Sequence, residues 1–142
     1  MITEIFTLCD AASDPQGKLN ILGAFNTFNA KKAPLTHPSC AVAVRLRLSL
    51  EEKGDHKFSV NFVDSNGKQI CPPGEGMFNV SFKDFPTANA NLVLLLQNLK
   101  LPVYGNYSIK LIIDEKEIAD FPFYVNQVKK ADVLPSRNTE KE

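Results

Sequence analysis

The sequence is poor in the residue types that usually mark a functional site. It contains no tryptophan and only two histidines, and Lys plus Arg and Asp plus Glu are equal at 16 each. A general nucleic-acid binder carries a basic excess, so the zero net charge argues against that class. The longest apolar run, residues 92–96, has the length of a strand, whereas a bilayer-spanning helix needs roughly 20 apolar residues. We therefore expect neither nucleic acid nor a membrane as a partner.

Cysteine is also scarce. Cys9, Cys40 and Cys71 are odd in number, widely spaced and without a C-x-x-C pair, which argues against a disulfide framework and a zinc ribbon. The first residues carry Glu4 and Asp10 and lack a basic leader, so no secretory signal is predicted. Reduced thiols without a leader predict a cytoplasmic protein.

What the sequence has in abundance is strict alternation of apolar and polar residues. In AVAVRLRLSL, residues 41–50, the even positions from Val42 to Leu50 are all apolar, whereas Arg45, Arg47 and Ser49 lie at odd positions. A strand sorts such residues onto two faces, while a helix would scatter them around its circumference. The same period recurs along most of the chain, and no segment has a helical period over ten residues. The chain is therefore predicted to be all-β.

About nine strands are predicted, at residues 2–10, 18–29, 40–50, 56–64, 68–71, 77–83, 91–99, 106–114 and 117–125. Short antiparallel strands at hairpin spacing form two packed sheets or a barrel. The apolar inward faces favour an antiparallel two-sheet β-sandwich, immunoglobulin-like or jelly-roll-like, over residues 1–125. A polar C-terminal tail is predicted over residues 126–142.

Turn signals separate the predicted strands. The insert SDPQG at residues 13–17 carries proline and glycine where a hairpin bends. Gly23 in the second arm of that hairpin predicts a bulge or a close backbone approach. The segment 29–38, with two prolines, is predicted to cross between the sheets or across an end of the sandwich.

The opening hairpin resembles the start of an uncharacterised bacterial family. The shared pattern is a first strand ending in Cys-Asp, an insert, then G-K-L-x-I-x-G-x-F; here it is Cys9, Asp10, Gly17, Lys18, Leu19, Ile21, Gly23 and Phe25. The segment 102–125, with Gly-x-Tyr and alternating apolar residues, is similar to the closing hairpin of that family. The resemblance implies a fold and a bacterial cytoplasmic origin. It supplies no activity and no site residues.

Two arrangements of histidine and cysteine were considered. His37 and Cys40 lie three residues apart, and a zinc site would need Cys71 and His56 to complete it. A cysteine nucleophile would need a histidine neighbour and an orienting third group, and no cysteine stands out for that role. A loop histidine and a strand-end cysteine explain the spacing more simply. We predict no metal, no cofactor and no catalytic residue.

Two further patterns lack the features of a binding loop. The run Gly74-Glu75-Gly76 lacks the third glycine and the following helix of a dinucleotide loop. Asp10 and Asp14 lack the dense carboxylates of a calcium loop.

Arg45 and Arg47 share one strand face, and Lys57 was expected on a neighbouring strand. Together they form a possible anion-binding patch, although a solvated outer face is the simpler explanation.

The segment NLVLLLQNL, residues 91–99, is apolar on both faces. Leu92, Leu94 and Leu96 point one way, and the residues predicted to point the other way form a possible interface: Val93, Leu95 and Leu99. A strand that is apolar on both faces needs a covering layer on each side. The second layer could come from the C-terminal tail, through Val128 and Val133, from the 30–38 loop, through Leu35, or from a second copy of the chain.

The leading hypothesis is a non-enzymatic domain that works through an interface with itself or with an unidentified protein. A small-molecule or carbohydrate-binding module is the alternative, weakened by having only three tyrosines and no tryptophan. A Cys/His hydrolase is third.

Overall fold

The computed structural model describes residues 1–129. They form nine strands: β1 (Ile2–Ser13), β2 (Asn20–Phe25), β3 (Thr27–Ala30), β4 (Leu35–Ser49), β5 (Gly54–Asp64), β6 (Gly74–Val80), β7 (Thr87–Leu101), β8 (Gly105–Ile113) and β9 (Lys116–Gln127). Two three-residue 3-10 turns, Pro15–Gly17 and Leu50–Glu52, are the helical elements of this part of the chain. The all-β prediction is confirmed. No helix within residues 1–129 is long and apolar enough to cross a bilayer.

The strands form two sheets. The four-stranded sheet has the order β2-β1-β4-β7, and the five-stranded sheet has the order β3-β9-β8-β5-β6. The prediction for residues 18–29 was wrong in one respect. The segment divides at Asn26, because β2 pairs antiparallel with β1 while β3 pairs parallel with β9 in the other sheet. The chain returns to the four-stranded sheet between Ala30 and Leu35, as expected for a crossover.

The predicted strand at residues 68–71 is instead a loop with a single bridge between Val63 and Gln69. The Asp64 carboxylate accepts hydrogen bonds from the backbone N–H groups of Asn66 and Lys68, at 2.9 and 3.0 Å. These hydrogen bonds hold residues 64–68 in a local turn. Two prolines follow, and proline has no backbone N–H to donate to a neighbouring strand.

The core lies between the two sheets. Most of it consists of alternate residues of β4, β5, β8 and β9, the strands in which alternation predicted an inward face, and Leu8, Phe28, Val80, Leu99 and Leu101 complete it. The larger fully buried members include Leu46, Leu48, Val60, Phe62, Ile109, Leu111, Phe123 and Val125. Fully burying one such side chain contributes roughly 1.5–3 kcal/mol, so the inward face of each strand is fixed in register.

The topology is immunoglobulin-like. β5, β8 and β9 lie in the order of strands C, F and G of that fold, and β1, β4 and β7 in the order A, B and E. Tyr107, near the start of β8, is buried and its hydroxyl donates to the Val103 carbonyl at 2.6 Å. This contact is the tyrosine corner of immunoglobulin-like sandwiches. Among residues 1–129 no strand lies beyond β7, where strand D would be.

The last strand ends slightly later than predicted. β9 continues to Gln127, two residues past the expected end at 125, and Val128 N–H donates to the Ala30 carbonyl at 2.9 Å. The rest of the predicted tail, including Val133, lies outside the described residues.

Candidate interaction surface

β7 is the feature of the molecule most unlike the rest of its surface. It is 15 residues long and pairs with β4 along its whole length. Its other edge has no strand partner within the described part of the chain. Natural edge strands are usually short or carry charges and prolines that prevent pairing with other chains. The segment from Thr87 to Leu99 contains neither.

Both faces of β7 are apolar near its middle. On the inner face, Leu92, Leu94 and Leu96 pack against the core but remain half-buried, because they lie at the open side of the sandwich. On the outer face, Val93 is half-buried and Leu95 is 69% exposed. A strand placed beside β7 would therefore remove apolar surface from water on both faces.

A small crevice opens between the sheets under β7. It has a volume of about 170 Å³, and its lining includes Val42, Val44, Phe58, Val60, Leu92 and Leu94. The lining side chains are apolar except for Asn91, so the crevice suits a hydrocarbon side chain better than a polar ligand.

The prediction for Leu99 was wrong. Leu99 is only 3% exposed and belongs to the core between the sheets, not to the outer face with Val93 and Leu95. Asn98 has a φ of +54°, in the left-handed region, and this residue breaks the alternation of β7. The outward apolar surface of the strand is thus confined to Val93 and Leu95.

Part of the outer face is covered by a segment that the sequence did not suggest. Ala41 and Ala43 of β4 and Cys9 of β1 are all fully buried although they face away from the core. Leu19 and Ile21 of the β1–β2 hairpin, together with Ala12, pack on them.

The tip of that hairpin reaches as far as β7. The Asn91 side chain donates a hydrogen bond to the Gly17 carbonyl at 3.0 Å. Since β4 lies between β1 and β7, the turn must cross over β4 to make this contact. The SDPQG insert is thus the end of a hairpin that covers the sheet. Leu35, expected as a cover, instead packs on the inner core.

The predicted anion patch does not form. Glu4 lies beside both arginines, with its carboxylate 3.3 Å from Arg45 Nε and 3.6 Å from Arg47 Nε. Arg45 also donates to the Asn91 side chain at 3.0 Å. The expectation that Lys57 lies on a neighbouring strand was wrong, because β5 belongs to the other sheet. Glu4 offsets one of the two arginine charges, and Lys57 lies in the other sheet, so the three cations do not form one patch.

The histidines and cysteines considered for zinc or catalysis are dispersed. His37 packs edge-on against Phe28, with ring centroids 4.9 Å apart. Cys40 is buried in the core, and burial raises the pKa of its thiol to about 11. Burial also raises the pKa of the Cys71 thiol. A thiolate is the reactive form, so these environments disfavour a nucleophilic cysteine. Among residues 1–129 no group of three or more His, Cys, Asp or Glu side chains is arranged to hold a metal.

His56 is fully engaged in structure. Its Nδ1–H donates to the Asp114 carboxylate at 2.6 Å and its Nε2–H donates to the Glu52 carbonyl at 2.5 Å. A carboxylate and a carbonyl oxygen both accept, so the two contacts together favour the ring with a proton on each nitrogen, the imidazolium form. The hydrogen bond that His56 donates to Asp114 raises the pKa of His56 and lowers the pKa of Asp114. The ring also stacks on Phe78 of β6, with centroids 5.3 Å apart.

The two glycines of the Gly74-Glu75-Gly76 run lie in β6 and have a packing role. A Cβ added to Gly74 would lie 2.6 Å from Leu94 Cδ2, and one added to Gly76 would lie 2.8 Å from the Phe58 ring. Glycine lets β6 approach these side chains. Gly23 is similar: with a φ of +68°, it lies against the Asp10 carboxylate, as the predicted close approach required. Asp14 lies at the start of the Pro15–Gly17 turn.

One depression on the outer face of the five-stranded sheet has a volume of about 460 Å³. It is an open groove rather than an enclosed pocket, and its lining includes Lys57, Ser59, Glu75 and Met77. Small-molecule sites usually enclose most of the ligand surface, so the groove is a weak candidate for such a site.

Comparison with known families identifies the chain. A family model matches residues 4–126, nearly the whole described region. This protein belongs to DUF6941, a family of unknown function. The sequence resemblance to an uncharacterised domain family is thereby confirmed. No curated protein matches the chain.

Solved structures offer only distant likenesses. The alkylpurine DNA glycosylase AlkC of Pseudomonas fluorescens aligns at a TM-score of 0.40 and 10% identity, over 70% of this chain and 27% of its own. A β-glucosidase from Listeria innocua aligns at 0.43 and 13%, over 87% and 16%. An immunoglobulin-like protein from Pseudomonas aeruginosa aligns at 0.36 and 14%, over 84% and 91%. This chain thus spans well under half the length of the first two proteins. At these scores the likenesses carry no information on function.

Proposed function

We propose that this member of DUF6941 is a non-enzymatic protein-interaction domain whose binding site is the open edge of β7. The observation that carries the proposal is a 15-residue edge strand, free of charge from Thr87 to Leu99, at the position where an immunoglobulin-like sandwich would have strand D. A partner strand that pairs with β7 fills that position.

The mode of binding is strand addition. Backbone N–H and C=O groups along the free edge supply affinity, and alternate side chains of the incoming strand supply specificity. On the inner side the incoming residues face the crevice next to Leu92 and Leu94, and on the outer side they cover Leu95. Covering one exposed leucine contributes about 1–2 kcal/mol, so the two faces together give a substantial apolar contribution.

Other features of the described residues favour this function over catalysis or sugar binding. The cysteine thiols have raised pKa values, and the His56 ring nitrogens are both occupied. Of the three tyrosines, Tyr107 is used inside the fold and is not available as a sugar platform.

Site-specific photocrosslinking in cells tests the proposal. A photoreactive residue at position 95 is compared with the same residue at position 22, because Leu95 and Leu22 are both 69% exposed but only Leu95 lies on β7. We expect a discrete protein adduct from position 95 and none from position 22. Equal labelling at both positions, or none at position 95, would refute a binding site on β7.

A further inference from the structure

We infer that the strand that pairs with β7 is β7 of a second copy, related by a two-fold axis through Leu94. The inference rests on the proposed function, since it names the partner of the same edge. It differs from face-to-face packing, because the two four-stranded sheets join edge to edge into one continuous eight-stranded sheet.

The first support is a chemical palindrome. Residues 91–97 read NLVLLLQ, so an antiparallel pairing centred on Leu94 opposes Leu92 with Leu96, Val93 with Leu95, and Asn91 with Gln97. Each pair joins residues of the same chemical kind. An antiparallel ladder permits a residue to oppose its own copy, and a two-fold interface requires the same patch to be complementary to itself.

The second support is that the palindrome is centred on the strand. Leu94 is the middle residue of the 15-residue strand Thr87–Leu101. A two-fold axis at this residue therefore overlaps the two strands along their whole length, with regular pairing up to the kink at Asn98. A palindrome displaced toward one end would leave much of the edge unpaired.

The third support is charge. Two copies of a charged edge strand would place like charges opposite each other, which is how natural edges avoid self-association. From Thr87 to Leu99 there is no charge to repel. Near this edge, Glu4 lies beside Arg45 and Arg47 and offsets one of their two positive charges.

The size of the interface is consistent with a modest dimer. The seven regularly paired residues, 91–97, span roughly 24 Å at about 3.4 Å each, and a strip about 10 Å wide covers about 240 Å² on each copy. The total of about 500 Å² is below the size of a standard specific interface, so the dimer is expected to be weak. Dissociation should therefore be visible within an accessible concentration range.

Sedimentation equilibrium of the purified chain over a wide concentration range tests the inference. We expect wild type and the control Leu22→Lys to form dimers, and Leu95→Lys to be a monomer at every concentration. Because both leucines are equally exposed, neither lysine should disturb folding, which circular dichroism checks. A monomeric wild type, a dimeric Leu95→Lys or a monomeric Leu22→Lys would each overturn the inference.

Disulfide trapping then tests the register. In the proposed pairing Val93 opposes Leu95 of the second copy, so a mixture of Val93→Cys and Leu95→Cys should give a cross-linked heterodimer under mild oxidation. Each variant alone should give much less, since its cysteines are then offset diagonally. Equal cross-linking of either variant alone would overturn this register.

The two proposals fail separately. If the purified protein is monomeric but position 95 still crosslinks in cells to a chain of different mass, the second copy is excluded and the interaction site stands. If position 95 forms no adduct in cells while the pure protein dimerises and Leu95→Lys is monomeric, the pairing of two β7 strands stands for the purified protein and the proposed role of this edge in cells is excluded.

Discussion

β6 and β7, the two strands at the open side of the sandwich, differ in length, in glycine content and in charge. β6 has seven residues, includes two glycines and Glu75, and follows two prolines. Its far end is held by the stack of Phe78 on His56. β7 is twice as long, has no charge before Lys100 and presents leucines on both faces. β6 thus shows the usual means of keeping an edge from pairing, and β7 shows none. This difference is why we propose β7, and not β6, as the binding edge.

The largest expected effect separates the two faces of β7. Leu94→Lys should lower the free energy of unfolding by about 2–4 kcal/mol, because a charge would be placed among core residues without a partner. Leu95→Lys, one residue away but 69% exposed, should change it by less than about 0.5 kcal/mol. Urea denaturation of the two variants, each measured as a monomer, checks the comparison. Equal destabilisation would mean that the two faces of β7 are wrongly assigned.

The next effect concerns the contact between the two edges. Gly74→Ala should destabilise the protein by about 1–2 kcal/mol, because its new methyl group would overlap the Leu94 side chain. In the background of Leu94→Ala the same substitution should cost much less. A double-mutant cycle by chemical denaturation measures this coupling, and Gly67→Ala, in a turn with open space around it, is not expected to show it. Additive effects of Gly74→Ala and Leu94→Ala would show that β6 does not approach β7 as described.

A smaller effect tests the hydrogen bond between His56 and Asp114, next to the end of β6 where His56 stacks on Phe78. The pKa of His56 is raised in the folded state, so its contribution to stability is full below its unfolded pKa of about 6.5 and is lost as pH rises through the folded value. The pKa of Asp114 is lowered, so its contribution is present above about pH 4 and is lost as pH falls through the folded value.

Wild type should therefore exceed His56→Gln in stability most between about pH 4 and 6.5, and less on either side. Because Asp114 is largely exposed, the difference should stay below about 1 kcal/mol. Thermal unfolding of both proteins across pH 3–9 measures it. A difference that does not vary with pH would exclude the charged His56–Asp114 pair.

The smallest expected effect is that of a lysine on β6. Met77 is 62% exposed on the outer side of that strand. Met77→Lys should change stability by less than about 0.5 kcal/mol and leave the sedimentation of the protein unchanged, unlike Leu95→Lys. A monomer produced by Met77→Lys would place an interface on β6 and contradict the choice of β7 as the binding edge.

The local pattern of the sequence determined the strands but not how they are assembled. Alternation identified the inward faces of β4, β5, β8 and β9, because a half-buried strand has a period of two residues. At Asn26 the apolar positions shift from odd, ending at Phe25, to even, starting at Phe28, but this shift alone does not show that the two halves belong to different sheets. Whether Lys57 lies beside Arg45 and Arg47 depends on the order of the strands in the sheets. That order is set by pairing between residues far apart in the sequence.

The candidate site was predicted in part. The double apolar character of residues 91–99 pointed to β7, but the left-handed φ of Asn98 turned Leu99 inward. Asparagine tolerates the left-handed conformation better than most residues. An asparagine at position 98 is therefore the one feature of the sequence that could have indicated a break in the alternation before Leu99. Ala41 and Ala43 are buried because the β1–β2 hairpin folds across the sheet onto them. The short side chains at these two positions are only weak evidence in the sequence for such packing.

Amide hydrogen exchange along β7 tests the central claim most directly. The backbone N–H groups on the free edge of residues 91–97 have no strand partner among residues 1–129, and strand pairing with a second copy would protect them. The account predicts that alternate amides of this segment become protected as protein concentration rises, while the amides of β6 do not change. Exchange at alternate β7 amides that stays fast at every concentration would contradict pairing of a second copy with β7.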